Sequence, residues 1–122
     1  MAFSNIPILA SAILFIDTAN GSGTALAGTT IKSGSTVIYE IEMDNTANAA
    51  TTYLRLYNAT SQTVGTTVPD MILLCPASVA RTVVIPSGLT FATGLGISSG
   101  TSATLATTTA PSSAFIVRAV YV

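Results

Sequence analysis

The chain has few groups able to do chemistry: Glu40, Glu42 and Asp44 spaced two apart, the separate Asp17 and Asp70, one cysteine, and the cations Lys32, Arg55, Arg81 and Arg118. Three carboxylates at a spacing of two fall on one side of an extended strand. Such a row could begin a Ca²⁺ site, which takes six to eight oxygen ligands, or supply the acid and base of a glycoside hydrolase. No adjacent loop adds further acidic ligands, so a solvent-facing row whose charges discourage edge pairing is the simpler reading. The absence of histidine removes the commonest general base and the commonest transition-metal ligand, and with them Ser-His-Asp or Cys-His catalysis within one chain. Cys75 closes the apolar run Met71-Ile72-Leu73-Leu74-Cys75 and reads as a buried thiol. A reactive thiol needs a cation beside it, and the nearest in sequence is Arg81, six residues on. These residues predict no catalytic site, no metal and no cofactor.

Composition narrows the partners. At 122 residues the chain suits one domain. Charged residues are only 7 % of it, whereas Ser and Thr supply 33 positions, so solubility must rest on neutral hydroxyls. With a net charge of −1 there is no basic field for a phosphate backbone or an anionic bilayer, and neither nucleic acid nor membrane is expected as a partner. The segment from Phe3 to Ile16 is almost wholly apolar, but no Lys or Arg precedes it as a signal peptide requires. It also falls short of the roughly 20 residues of a membrane-spanning helix, and Pro7 interrupts its start. It is expected to be an arm, residues 1–12, leading into a buried strand from Ile13 to Asp17.

The elements that must carry these side chains read as strands. Residues 18–35 are small and polar, with Gly21, Gly23, Gly28 and Gly34 marking turns around one short strand. Gly21-Ser22-Gly23 lacks the Gly-Lys-Ser/Thr ending of a phosphate loop. Thr36 to Asp44 alternates, and Val37, Tyr39, Ile41 and Met43 are expected on the inner face with the three carboxylates outside. In Thr52 to Asn58, Leu54 and Leu56 face one way and Tyr53, Arg55 and Tyr57 the other, an outer face of the residue types enriched at protein interfaces. Base stacking on those tyrosines would need a positive groove that four cations do not make. Proline brackets the run Met71 to Cys75, and Val79 to Ile85 forms a further strand. Pro86 and Gly88 predict a tight reversal, after which Leu89, Phe91 and Thr93 share a face. Gly96 to Pro111 reads as a low-complexity loop, and Ala114 to Val122 as a final strand held within a sheet. The pattern predicts an all-β protein: a single β-sandwich or jelly-roll-like domain of about seven or eight short strands, residues 13–122, behind the apolar N-terminal arm.

Three of these stretches carry a resemblance. Tyr53-Leu54-Arg55-Leu56-Tyr57, then Val64-Gly65-Thr66-Thr67-Val68-Pro69, then Ile85-Pro86-Ser87-Gly88-Leu89-Thr90-Phe91-Ala92-Thr93-Gly94-Leu95 resemble, in the same order, motifs of small virion proteins of tailed bacteriophages. The likeness covers Tyr53 to Pro111, about half the chain; residues 1–50 lie outside it, and a Thr-rich tract stands where the family has an acidic stretch. It implies a structural component of the virion, assembled in the host cytoplasm, with no catalytic residues to carry over. The function expected is a capsid decoration, or cement, protein that binds the major capsid protein lattice and stabilises the head, as a homotrimer in the manner of such proteins. A tail or neck protein, such as an adaptor or fibre base, is the alternative. A carbohydrate-binding or carbohydrate-cleaving β domain using Tyr53, Tyr57 and the Glu40/Glu42 row is the third. Phe3, Ile6, Ile8 and Leu9 of the arm, with Tyr53, Arg55 and Tyr57, are the expected partner interface. At least one of Arg55, Arg81 and Arg118 is expected to pair with Glu40, Glu42 or Asp44, because an arginine on an apolar strand needs an acceptor.

Overall fold

The computed structural model describes residues 11–17, 29–106 and 109–122, so the expected interface residues Phe3, Ile6, Ile8 and Leu9 lie outside the described residues. Eight strands follow one another: β1 (Ser11–Asp17), β2 (Thr29–Ser33), β3 (Thr36–Asp44), β4 (Thr52–Asn58), β5 (Met71–Cys75), β6 (Ala80–Phe91), β7 (Gly94–Gly100) and β8 (Phe115–Tyr121). They form two four-stranded sheets ordered β1-β8-β3-β6 and β2-β7-β4-β5. Each pairing is antiparallel, β1 with β8, β2 with β7, β3 with β6 and β4 with β5. That is the pairing of one long hairpin rolled over on itself, the wiring of a jelly roll. The all-β sandwich expected from the sequence is what the chain forms.

The core lies between the sheets. Ile38, Ile41 and Met43 from β3, Phe91 from β6, and Phe115 and Val117 from β8 meet Leu54, Leu56, Cys75, Leu95 and Ile97 from the opposite sheet, all buried. The alternation in β3 is not the one expected. Ile38, not Val37 or Tyr39, enters the core alongside Ile41 and Met43. The cause is a bulge: Ile38 pairs with Tyr121 and Glu40 with Val120, so Tyr39 is the extra residue, and side chains before it change faces. The same slip absorbs the predicted reversal. Ile38 pairs with Leu89 and Glu40 with Val84, which leaves Ile85-Pro86-Ser87-Gly88 opposite Tyr39 within a continuous β6. Gly88 takes φ +76°, and a Cβ there would run into the Val37 and Tyr39 side chains. Pro86, without an N–H to donate, is tolerated because β6 is an edge strand. The chain crosses from one sheet to the other only after Phe91, through Ala92 and Thr93.

β7 also departs from the expectation. Residues read as the start of a loop instead form a strand between β2 and β4, every one of them buried. Leu95 and Ile97 supply the core, and Gly96, Ser98 and Gly100 are opposite Tyr57, Arg55 and Tyr53 on the outer face. At the other end of the molecule Val122 and Val37 exchange both backbone hydrogen bonds at 2.9 Å, which extends the β3–β8 pairing to the last residue. The bulge gives neighbouring residues opposite fates. Ile38→Ala is expected to lower unfolding free energy by about 2–5 kcal/mol and Val37→Ala by less than about 1.5 kcal/mol in urea melts, the cost following core burial.

Candidate functional site

The outer face of the β2-β7-β4-β5 sheet was the expected contact surface, and most of it is covered by the chain's own connections. Tyr53 remains half-buried, but Arg55 and Tyr57 are each only 1 % exposed. Two folded-back segments do this. The β7–β8 connection passes over β4, where the carbonyls of Ser102 and Thr104 accept hydrogen bonds from Arg55 Nη2 at 2.7 and 3.1 Å. The β4–β5 connection lays Gln62 against Gly96, the residue paired with Tyr57, at a place where any Cβ would collide with the amide. Small residues in β7 are thus what lets a polar layer seat on the sheet. Within that layer Tyr57 Oη and Ser98 Oγ are 2.9 Å apart. Arg55 therefore holds a connection onto the sheet, Tyr57 is tied to Ser98 of the neighbouring strand, and neither is presented outward, a correction to their expected exposure. The sequence signal for this was the Gly-x-Ser-x-Gly spacing in β7, whose small side chains demand a close neighbour.

The opposite outer face carries the acidic row as expected. Arg118 of β8 donates to Glu42 Oε1 at 2.7 Å, an exposed ion pair, so one arginine does pair with the row. Such a pair contributes at most about 1 kcal/mol. Asp44 turns toward its own chain, accepting from Thr46 Oγ1 at 2.6 Å and from Thr46 N at 3.0 Å. The hydroxyl bond first and the amide bond second hold its carboxyl below the ordinary carboxylate value. Among the described residues no three His, Cys, Asp or Glu side chains gather to hold a metal ion. Cys75 is fully buried, and burial raises its thiol pKa, with Arg81 opposing.

At one end of the sandwich two buried asparagines organise the connections. Asn45 Oδ1 accepts from Thr52 Oγ1 at 2.8 Å, while its Nδ2 lies 3.0, 3.2 and 2.9 Å from the carbonyls of Ala50, Cys75 and Pro76, two hydrogens shared among three acceptors. Asn48 Nδ2 donates to Ala114 O at 3.2 Å, its Oδ1 accepts from Ser113 N at 2.8 Å, and its carbonyl accepts from Ser78 N at 2.9 Å. Beside them a cleft of about 240 Å³ opens between Asn48, Thr52, Thr101, Thr109 and Ser112. The Asn48 and Thr52 side chains are already committed to these internal bonds.

The remaining distinctive surface is apolar. Among the described residues the exposed large hydrophobic side chains are Val68, Ile72, Leu74, Val79 and Val84. All belong to the stretch that leads into and forms β5 and β6, the two edge strands that follow one another in the chain. Arg81 crosses this open side of the sandwich, its Nη1 donating to Leu74 O at 2.7 Å. The class defined by this arrangement is a jelly-roll domain with a covered polar layer on one face, an acidic row on the other and an apolar flank. Comparison with protein-family models, with curated proteins and with solved structures finds no match.

Arg55→Met keeps the length of the side chain but leaves the Ser102 and Thr104 carbonyls without their donor. It is expected to cost about 2–4 kcal/mol of unfolding free energy and to speed amide exchange in residues 101–106 more than in β3. For Asp44 the lowered folded pKa means that its stabilisation is complete above the unfolded carboxylate pKa and disappears as pH falls through the folded one. Thr46→Ala is expected to raise the Asp44 titration midpoint measured by NMR. Its stability deficit relative to wild type should shrink on acidification and stay constant from neutral pH upward.

Proposed function

We propose that this protein is a structural component of a tailed-phage virion, specifically a decoration protein that binds the major capsid protein lattice and stabilises the head. The observation that carries the reading is the set of three ordered motifs, which occupy β4, the β4–β5 connection and the β6–β7 crossing of one jelly roll. Viral capsid domains are among the users of this wiring, an analogy of fold that supports the reading without assigning a site. The distribution of chemistry agrees with it. The side chains with most reactive potential are consumed internally: Arg55 by loop carbonyls, Glu42 by Arg118, Asp44 by Thr46, and Cys75 by the core. Among the described residues what faces outward is, apart from the acidic row with Arg118 and the charges of Lys32, Asp70 and Arg81, neutral and, along the β5 and β6 flank, apolar, a surface suited to lying on another protein.

A place in the tail or neck uses the same surfaces and differs in copy number, few at one vertex against many over the head. The carbohydrate reading keeps the fold, which lectins also use, but loses Tyr57 as a stacking platform because the ring is buried. Purified protein added to expanded heads that lack it is expected to bind saturably and to raise their resistance to heat. Heads that neither bind it nor gain heat resistance would overturn the decoration reading.

A further inference from the structure

We infer that β5 is a self-association edge, at which two copies of this chain pair antiparallel along Met71–Cys75 about a twofold axis. The inference does not rest on the virion reading. Open edges are normally guarded by charge, proline or bulges. Among the edge strands whose side chains are described, β2 carries Lys32 and a register shift, and β6 carries Pro86 and the Ile85–Gly88 bulge. β5 has no charge, no proline and no bulge in its own span. Its outward side chains Ile72 and Leu74 are 38 % and 41 % exposed, and Val68 just before it is 69 % exposed. The Leu74 carbonyl points out of the sheet, since it takes a donor from Arg81 across the open side.

The charges bordering this edge indicate the occupant. Between Val68 and Val84 there are only two, Asp70 before β5 and Arg81 beside its far end, and they are opposite in sign. Antiparallel pairing centred on Leu73 sets Ile72 of one copy against Leu74 of the other. It also brings each Asp70 to the end of the edge where the other copy's Arg81 lies. A parallel arrangement would set like charges together. In the pair, the Ile72 N–H of one copy replaces Arg81 as the donor to Leu74 O of the other, and the released guanidinium meets the carboxylate of the second copy's Asp70, one oxygen of which already accepts from Asn58 N at 2.6 Å. The apolar side chains of Ile72 and Leu74 then form cross-strand pairs. A twofold contact of this kind is isologous and closes on itself, and it differs from the threefold assembly implied by the resemblance.

Sedimentation of the full chain from micromolar to several hundred micromolar concentration is the test, with amide exchange of wild type at both ends of the range. The expected result is a monomer–dimer equilibrium, with the Ile72 and Leu74 amides protected only in the dimer. Leu74→Asp and Arg81→Asp should each weaken the dimer at least about tenfold, and combining Arg81→Asp with Asp70→Arg should recover part of the loss. A chain that stays monomeric throughout, a trimer, or a dimer that leaves the Ile72 and Leu74 amides unprotected would overturn the inference. The exchange measurement needs no variant to fold.

Discussion

Rolling a hairpin into two sheets leaves the connections to be fixed at the ends of the sandwich, and here that task falls on the buried amides of Asn45 and Asn48. Each is at most 2 % exposed. Between them they join the β3–β4 turn to the β5–β6 turn and to the segment before β8. A buried amide without partners costs about 1–3 kcal/mol, so the pair is tolerable only when all three segments are in place. Ser78, a non-glycine residue at φ 60°, holds its strained conformation because its N–H reaches the Asn48 carbonyl. That junction ties three segments distant in sequence together at one end of the sandwich.

The outer polar layer follows from the same economy of charge. With four cations in the whole chain, burying Arg55 beneath a loop is a large commitment. Its guanidinium supplies donors to carbonyls that the loop, poor in regular structure, cannot satisfy alone. Gly96, Ser98 and Gly100 are small for the same reason: the sheet is covered at close range on this side as well as on the core side. Among the described residues Arg55, Asn45 and Asn48 are committed to specific polar contacts inside, while the acidic row and its Arg118 partner stay at the surface.

Strand existence was legible because the alternation of β3, β4 and β8 and the turn clusters between them are local properties. The slip at Tyr39 was not, since a bulge of one residue reverses the faces without altering composition, and its partner, the four residues Ile85–Gly88, mimics a turn. The strand character of Gly94–Gly100 was hidden by small residues whose value lies in what presses on them, Gln62 and the Arg55 loop, which are distant in sequence. The burial of Arg55 and Tyr57 was illegible for the same reason. Their types do suit an interface, and they form one with the chain's own connections.

The central claim, that this jelly roll coats a phage head, is tested most directly by a density map of an intact particle with this chain located in it. The account predicts many copies distributed over the head lattice and in contact with the major capsid protein. Density confined to a few copies at the tail vertex, or absent from the particle altogether, would contradict it.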